Sequence, residues 1–181
     1  MTRTALIALL LALMAIAASA QTTTQGTINA VLVNKSGIAI QFWSDASGVT
    51  LTGSGTAAVT AGFGSISAYG PLAAGVTRLG VTSSNFTVRT PFDVNVIVGG
   101  LATSSYNLVA SLASAPPTGF TYLVDNVTLT TAAQTVQTGA AYSTTIPHNL
   151  DLIVSTAAPT AGGPAVGTLI SRTINFIAVA N

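Results

Sequence analysis

The stretch "PFDVNVIV", residues 91–98, sets Phe92, Val94, Val96 and Val98 on one side of an extended chain and Asp93 and Asn95 on the other. Successive side chains of a strand point to opposite faces, so this period of two describes a half-buried β-strand and no helix. The stretch "SYNLVASLA", residues 105–113, repeats it, with Tyr106, Leu108, Ala110 and Leu112 opposite Asn107, Val109 and Ser111. A strand with one apolar face must cover that face, and antiparallel sheets stacked on each other do so. Only residues 99–104 lie between the two stretches, which predicts a hairpin joining them.

The same signature recurs along the chain. Short runs rich in Val, Ile and Thr, bounded by Gly, Pro, Ser or Asn, predict strands at 27–33, 38–43, 49–52, 56–59, 64–69, 76–82, 85–90, 93–98 and 105–113. Further strands are predicted at 120–123, 126–130, 134–138, 150–155 and 168–180. Turn chemistry fills the gaps, as in Lys35-Ser36-Gly37, Gly53-Ser54-Gly55 and Pro116-Pro117-Thr118-Gly119. No helical periodicity follows the first 20 residues. The expected fold is all-β, an antiparallel immunoglobulin-like or jelly-roll β-sandwich formed by one domain over residues 21–181. A membrane barrel fits less well, since it needs strands of about 9–11 residues and aromatic girdles. Most of these runs are shorter and the aromatics are scattered.

The first 20 residues have the layout of a cleaved signal peptide. Arg3 precedes the apolar run "ALIALLLALMAIA", and Ala18-Ser19-Ala20 offers small side chains for cleavage before Gln21. The run is too short to span a bilayer comfortably, which takes roughly 20 residues, and no later stretch reaches that length, so no transmembrane segment is expected after cleavage. Secretion, to the cell surface or beyond it, follows as an expectation.

Charge narrows the partners. Charged residues make up 5% of the chain, against roughly 25% in ordinary domains. Without Arg3, the four cations Lys35, Arg78, Arg89 and Arg172 balance the four aspartates Asp45, Asp93, Asp125 and Asp151. A neutral surface has no field with which to collect nucleic acid or anionic lipid. It also resists self-association poorly, which suits a subunit that assembles. There is no cysteine, so thiol catalysis and thiolate metal sites are excluded, and no cofactor is expected.

Catalytic parts are scarce. His148, the single histidine, lies three residues before Asp151, and a Ser/His/Asp arrangement is possible on paper because triads are defined by geometry. No G-x-S-x-G elbow surrounds a serine, and "PHN" reads as a turn, so a solvent-facing loop histidine is expected. Asp93 and Asp151 are read onto wet strand faces, while Asp45 and Asp125 fit Asx turns. Asp125-Asn126 is at most a fragment of a calcium loop. No catalytic or metal residue is assigned. Trp43, the only tryptophan, is a candidate glycan contact, with Tyr69 or Tyr122 as companions; packing beside Phe42 is the plainer expectation.

The tail "PAVGTLISRTINFIAVAN" runs to the last residue as a strand, with Ile174, Phe176, Ala178 and Ala180 on one face. A signal-like leader, a short Thr-rich lead-in "QTTTQ", a sandwich and a terminal strand together resemble secreted bacterial immunoglobulin-like subunits of the chaperone–usher pilin type. The resemblance covers organisation rather than a motif. Here the last aromatic is Phe176, and the lead-in is polar, so that only 27–33 alternates. It implies donor-strand exchange, in which one subunit's N-terminal strand completes the next. Ile28, Ala30 and Leu32 (or Val31 and Val33) would be inserted, and Ile174, Phe176 and Ala178 on the terminal strand are further candidate strand-exchange residues. The alternative is that the N-terminal strand pairs within its own domain. The readings rank as a non-catalytic filament, fimbrial or coat subunit that self-associates or joins other surface proteins; then a carbohydrate-binding or adhesive module; then a hydrolase on His148 and Asp151.

Overall fold

A computed structural model describes residues 22–30, 37–100, 104–157, 163 and 165–181. The expected signal segment lies outside these residues, as do Leu32, Val31 and Val33. Among the described residues eleven strands and no helix form: β1 (Thr22–Ala30), β2 (Ile38–Ser44), β3 (Ala58–Ile66), β4 (Thr77–Val81), β5 (Asn85–Val98), β6 (Ser105–Leu112), β7 (Phe120–Val124), β8 (Val127–Thr128), β9 (Gln134–Ala141), β10 (Thr145–Ser155) and β11 (Ile170–Ala180). One sheet runs β3-β1-β11-β6-β9; the other runs β2-β5-β10-β7-β8, with β4 also on β5. Pairings are antiparallel except β1 with β11, which is parallel.

The alternation seen in sequence becomes burial. Along β5, Phe86, Val88, Thr90, Phe92, Val94 and Val96 are buried in turn, and along β6 Tyr106, Leu108, Ala110 and Leu112. These inner faces meet across the two sheets. Phe176 on β11 packs edge-on against Phe42 on β2 at 5.2 Å between ring centres, and against Phe92 on β5 at 6.0 Å. Such offset and T-shaped contacts suit the aromatic quadrupole.

The expected hairpin between residues 91–98 and 105–113 does not form. β5 and β6 belong to different sheets. Both strands carry a full apolar stripe, and placing them in facing layers buries each stripe. Their ladders come from other strands instead, β10, β2 and the preceding β4 for β5, β11 and β9 for β6.

The runs 85–90 and 93–98 fuse into one 14-residue strand. Proline cannot donate to a ladder, and Pro91 sits where the β2 and β4 pairings on that edge stop short of each other. The gap is filled by the turn after β2: buried Thr90 accepts the Val49 N–H through Oγ1 at 2.9 Å. Gly48 is required there, since a Cβ would stand 2.1 Å from the Pro91 carbonyl oxygen. The run 49–52 forms no strand, only an isolated bridge at Thr52, and the run 56–59 is taken up in its second half by β3, which starts at Ala58 after a bridge at Thr56. The expected strand 64–69 is displaced to β3, which ends at Ile66.

At the N-terminus the polar lead-in is itself strand. Thr22 to Gln25 pair with β3, and β1 is described from Thr22 to Ala30, residues 31–33 of the expected strand lying outside the described residues. Two neighbouring edges, β3 and β11, offer ladder partners on both sides, which outweighs the lack of an apolar pattern in the lead-in.

Candidate functional site

Three places collect the residues singled out in sequence. The first is the seat of β1. Ile28 is fully buried, opposite Ile174 on one side and Val59 on the other. Ala30 stands in register with Phe176. Ile174 and Phe176 are buried and Ala178 packs partly against the core. The terminal strand is therefore paired on both edges within its own chain, by β1 and by β6, and the Asn181 N–H donates to the Ser105 carbonyl at 3.1 Å. The strands β1 and β11 are brought together inside one molecule.

The second is the outer face of β2, β5 and β10. Phe42 and Trp43 are neighbours in a strand, so only one can face the core. Phe42 does, and Trp43 is 43% exposed on the outside. Packing of Trp43 beside Phe42 is thus corrected. The six-membered ring lies instead along Gly55, whose φ of +87° and missing side chain admit it. Tyr69 is 85% exposed, whereas Tyr122 is buried and is no surface contact. Burial raises the Tyr122 phenol to about 12.

The third is a set of ionic contacts that sequence spacing did not reveal. His148 is not on the surface: it is 1% exposed, on the inner face of β10 against Phe92. Its period-two relation to Leu150, Leu152 and Val154 is the signal for this, hidden by starting the strand at 150. Asp125 reaches it from the tight turn between β7 and β8, where Asp125 and Asn126 adopt φ of 49° and 67°. Those left-handed values fit a two-residue hairpin turn. Nδ1 of His148 is 2.5 Å from Asp125 Oδ2, and Oδ1 accepts the Asn149 N–H at 2.8 Å. Burial works to raise the Asp125 carboxyl, but these two hydrogen bonds outweigh it and hold the group below the ordinary range. The other ring nitrogen, Nε2, is buried without a hydrogen-bond partner, so no serine hydroxyl meets it.

Asp151 points the opposite way, to the outer face, yet it too is buried. Arg89, directly across on β5, covers it with a two-pronged contact, Nε to Oδ1 at 2.6 Å and Nη2 to Oδ2 at 2.7 Å. That hydrogen bonding raises Arg89 above its ordinary value. The wet-face reading of Asp151 fails because this cation replaces the water. Asp45 fits its expected Asx turn, accepting from the Ser47 hydroxyl and N–H, which lowers its carboxyl.

His148 and Asp151 thus flank opposite faces of one strand, each with a different partner. Among the described residues no three His, Asp or Glu converge as a metal site, and no helix is long and apolar enough to cross a membrane. No family model and no curated protein matches the sequence.

Proposed function

We propose that the chain is a secreted, non-catalytic structural subunit of the cell exterior, a filament or coat component built as an immunoglobulin-like or jelly-roll β-sandwich and assembled through β-strand pairing. The observation that carries this reading is the chemistry of the sheet edges. The edge strands β2, β3, β8 and β9 contain no charged residue, and the short strand β4 on the flank of β5 carries one, Arg78, whose guanidinium donates to the Ser67 and Gly70 carbonyls. Free-standing β-proteins commonly guard their edges with lysine or other charges, because an unpaired strand is a template for another chain. β3 and β2 have part of their outer edges occupied by Thr52 and Thr56, and β9 ends its sheet. A mature surface without net charge adds little repulsion.

In the donor-strand scheme that the pilin-type resemblance implies, β1 is the element that passes between subunits, with Ile28 as its buried anchor and β11 as its seat. The signal-like leader supports export.

The test is the oligomeric state of the chain from residue 21 onward, followed by light scattering as concentration rises. Assemblies of high mass are expected, and lysine at the exposed β9 position Thr138 should disperse them. A wild-type chain that stays monomeric at millimolar concentration overturns the reading.

A further inference from the structure

Cross-strand register places six side chains on one patch of the outer face. Trp43, Asp93 and Pro147 form one row across β2, β5 and β10, and Gln41, Asn95 and Thr145 form the next. Strands lie about 4.8 Å apart and alternate residues about 6.8 Å apart, so the patch measures roughly 10 by 7 Å. Trp43, Pro147 and Thr145 are exposed, and Gln41, Asp93 and Asn95 are half-buried.

We infer that this patch binds a neutral oligosaccharide, one pyranose ring stacking on the Trp43 indole while Gln41, Asp93 and Asn95 hydrogen-bond its hydroxyls.

Three observations support this occupant. The indole is 43% exposed and is held in place: a Cβ on Gly55 would come within 3.1 Å of its Cη2 atom. A pyranose has one face of C–H groups, which suits an aromatic ring, and a rim of hydroxyls, which suits amides and a carboxylate. Asn95 Oδ1 makes no hydrogen bond within the chain and is itself closed to solvent, so it accepts a sugar hydroxyl only once that side chain turns outward. Charge decides between sugars. Asp93 is the one ionic group in the two rows, Asp45 acts on it electrostatically, and burial with that neighbour raises the Asp93 carboxyl. The nearest cation along β5, Arg89, is committed to Asp151. Uronic acids and sulfated or phosphorylated sugars would meet uncompensated negative charge, whereas a neutral hydroxyl donates well to a partly desolvated carboxylate.

Because Trp43 is the only tryptophan, its fluorescence reads this patch alone. The wild-type chain is titrated with cellohexaose, mannohexaose and hexagalacturonate. A saturable emission shift with at least one neutral hexamer, and none with the acidic one, is the expected result. Calorimetry then compares variants: Trp43→Ala should weaken binding by roughly tenfold or more, and Asp93→Ala by severalfold, about 1 kcal/mol or less for each factor of five. Trp43→Phe, which keeps a ring, should retain part of the affinity and guards against a folding artefact. The inference is overturned if neither neutral hexamer binds at millimolar concentration, if Trp43→Ala binds as wild type, or if hexagalacturonate binds equally. The patch lies on the sheet that does not contain β9, so Thr138→Lys should leave the titration unchanged whether or not the chain assembles.

Discussion

Replacing Phe176 by alanine is the sharpest test of how the two layers are held. The ring is fully buried on β11 and reaches Phe42 and Phe92 of the facing sheet. Truncating a buried phenylalanine costs about 3–5 kcal/mol through lost transfer energy and the cavity left behind. Edge-to-face pairs add about 0.5–1.5 kcal/mol each beyond area, and two such pairs end here, so a value near the middle, about 4 kcal/mol, is expected. For a domain of this size 1 kcal/mol moves the midpoint by roughly 2–4 °C, which gives a fall of about 8–16 °C. Calorimetry and urea titration measure it, with Val179→Ala, an exposed position on the same strand, as a control expected within about 0.5 kcal/mol of wild type. A double-mutant cycle with Phe42→Ala should return a coupling of about 0.5–1.5 kcal/mol. A loss below about 1 kcal/mol, or no coupling, would falsify the claim that this aromatic contact ties the sheets together.

The remaining predictions concern polar contacts. Asp125 has a lowered folded-state carboxyl, so it stabilises the fold above the ordinary carboxylate range, and that contribution fades as pH falls through its folded value. Asp125→Asn should therefore be less stable than wild type at neutral pH and converge on it in acid; parallel curves across pH would sink the assignment. Arg89→Leu leaves the buried Asp151 carboxylate unpaired and should cost roughly 2–3 kcal/mol, less than for a fully buried pair because the arginine is partly wet. The Arg89→Leu, Asp151→Leu double variant should recover to within about 1 kcal/mol of wild type in the same urea titration. Gly55→Ala forces a side chain into a positive φ, worth about 1–2 kcal/mol, and displaces the indole, which an altered Trp43 emission spectrum would register.

One residue of the candidate patch, Trp43, was open to reading before any fold was known. Phe42 and Trp43 are adjacent, so strand alternation alone sends one of them outward. The same rule, run back from Val154 through Leu152 and Leu150, sends His148 inward. What could not be read was which residue each side chain meets. Asp125 lies 23 positions from His148, and Arg89 lies 62 from Asp151. Neither spacing leaves a local mark.

Alternation is a property of a few consecutive residues. The amino-acid order alone therefore decided that the described part of the chain is all-β, and which faces of residues 92–96, 106–112 and 174–176 turn inward. Pairing is a property of the whole chain, because any extended segment can bond with any other and the gain depends on what its apolar face then covers. Only the tertiary structure could decide that β5 and β6 join different sheets instead of pairing as a hairpin. Only it could seat a polar lead-in between β3 and β11, and bury a histidine and an aspartate on opposite sides of the same strand.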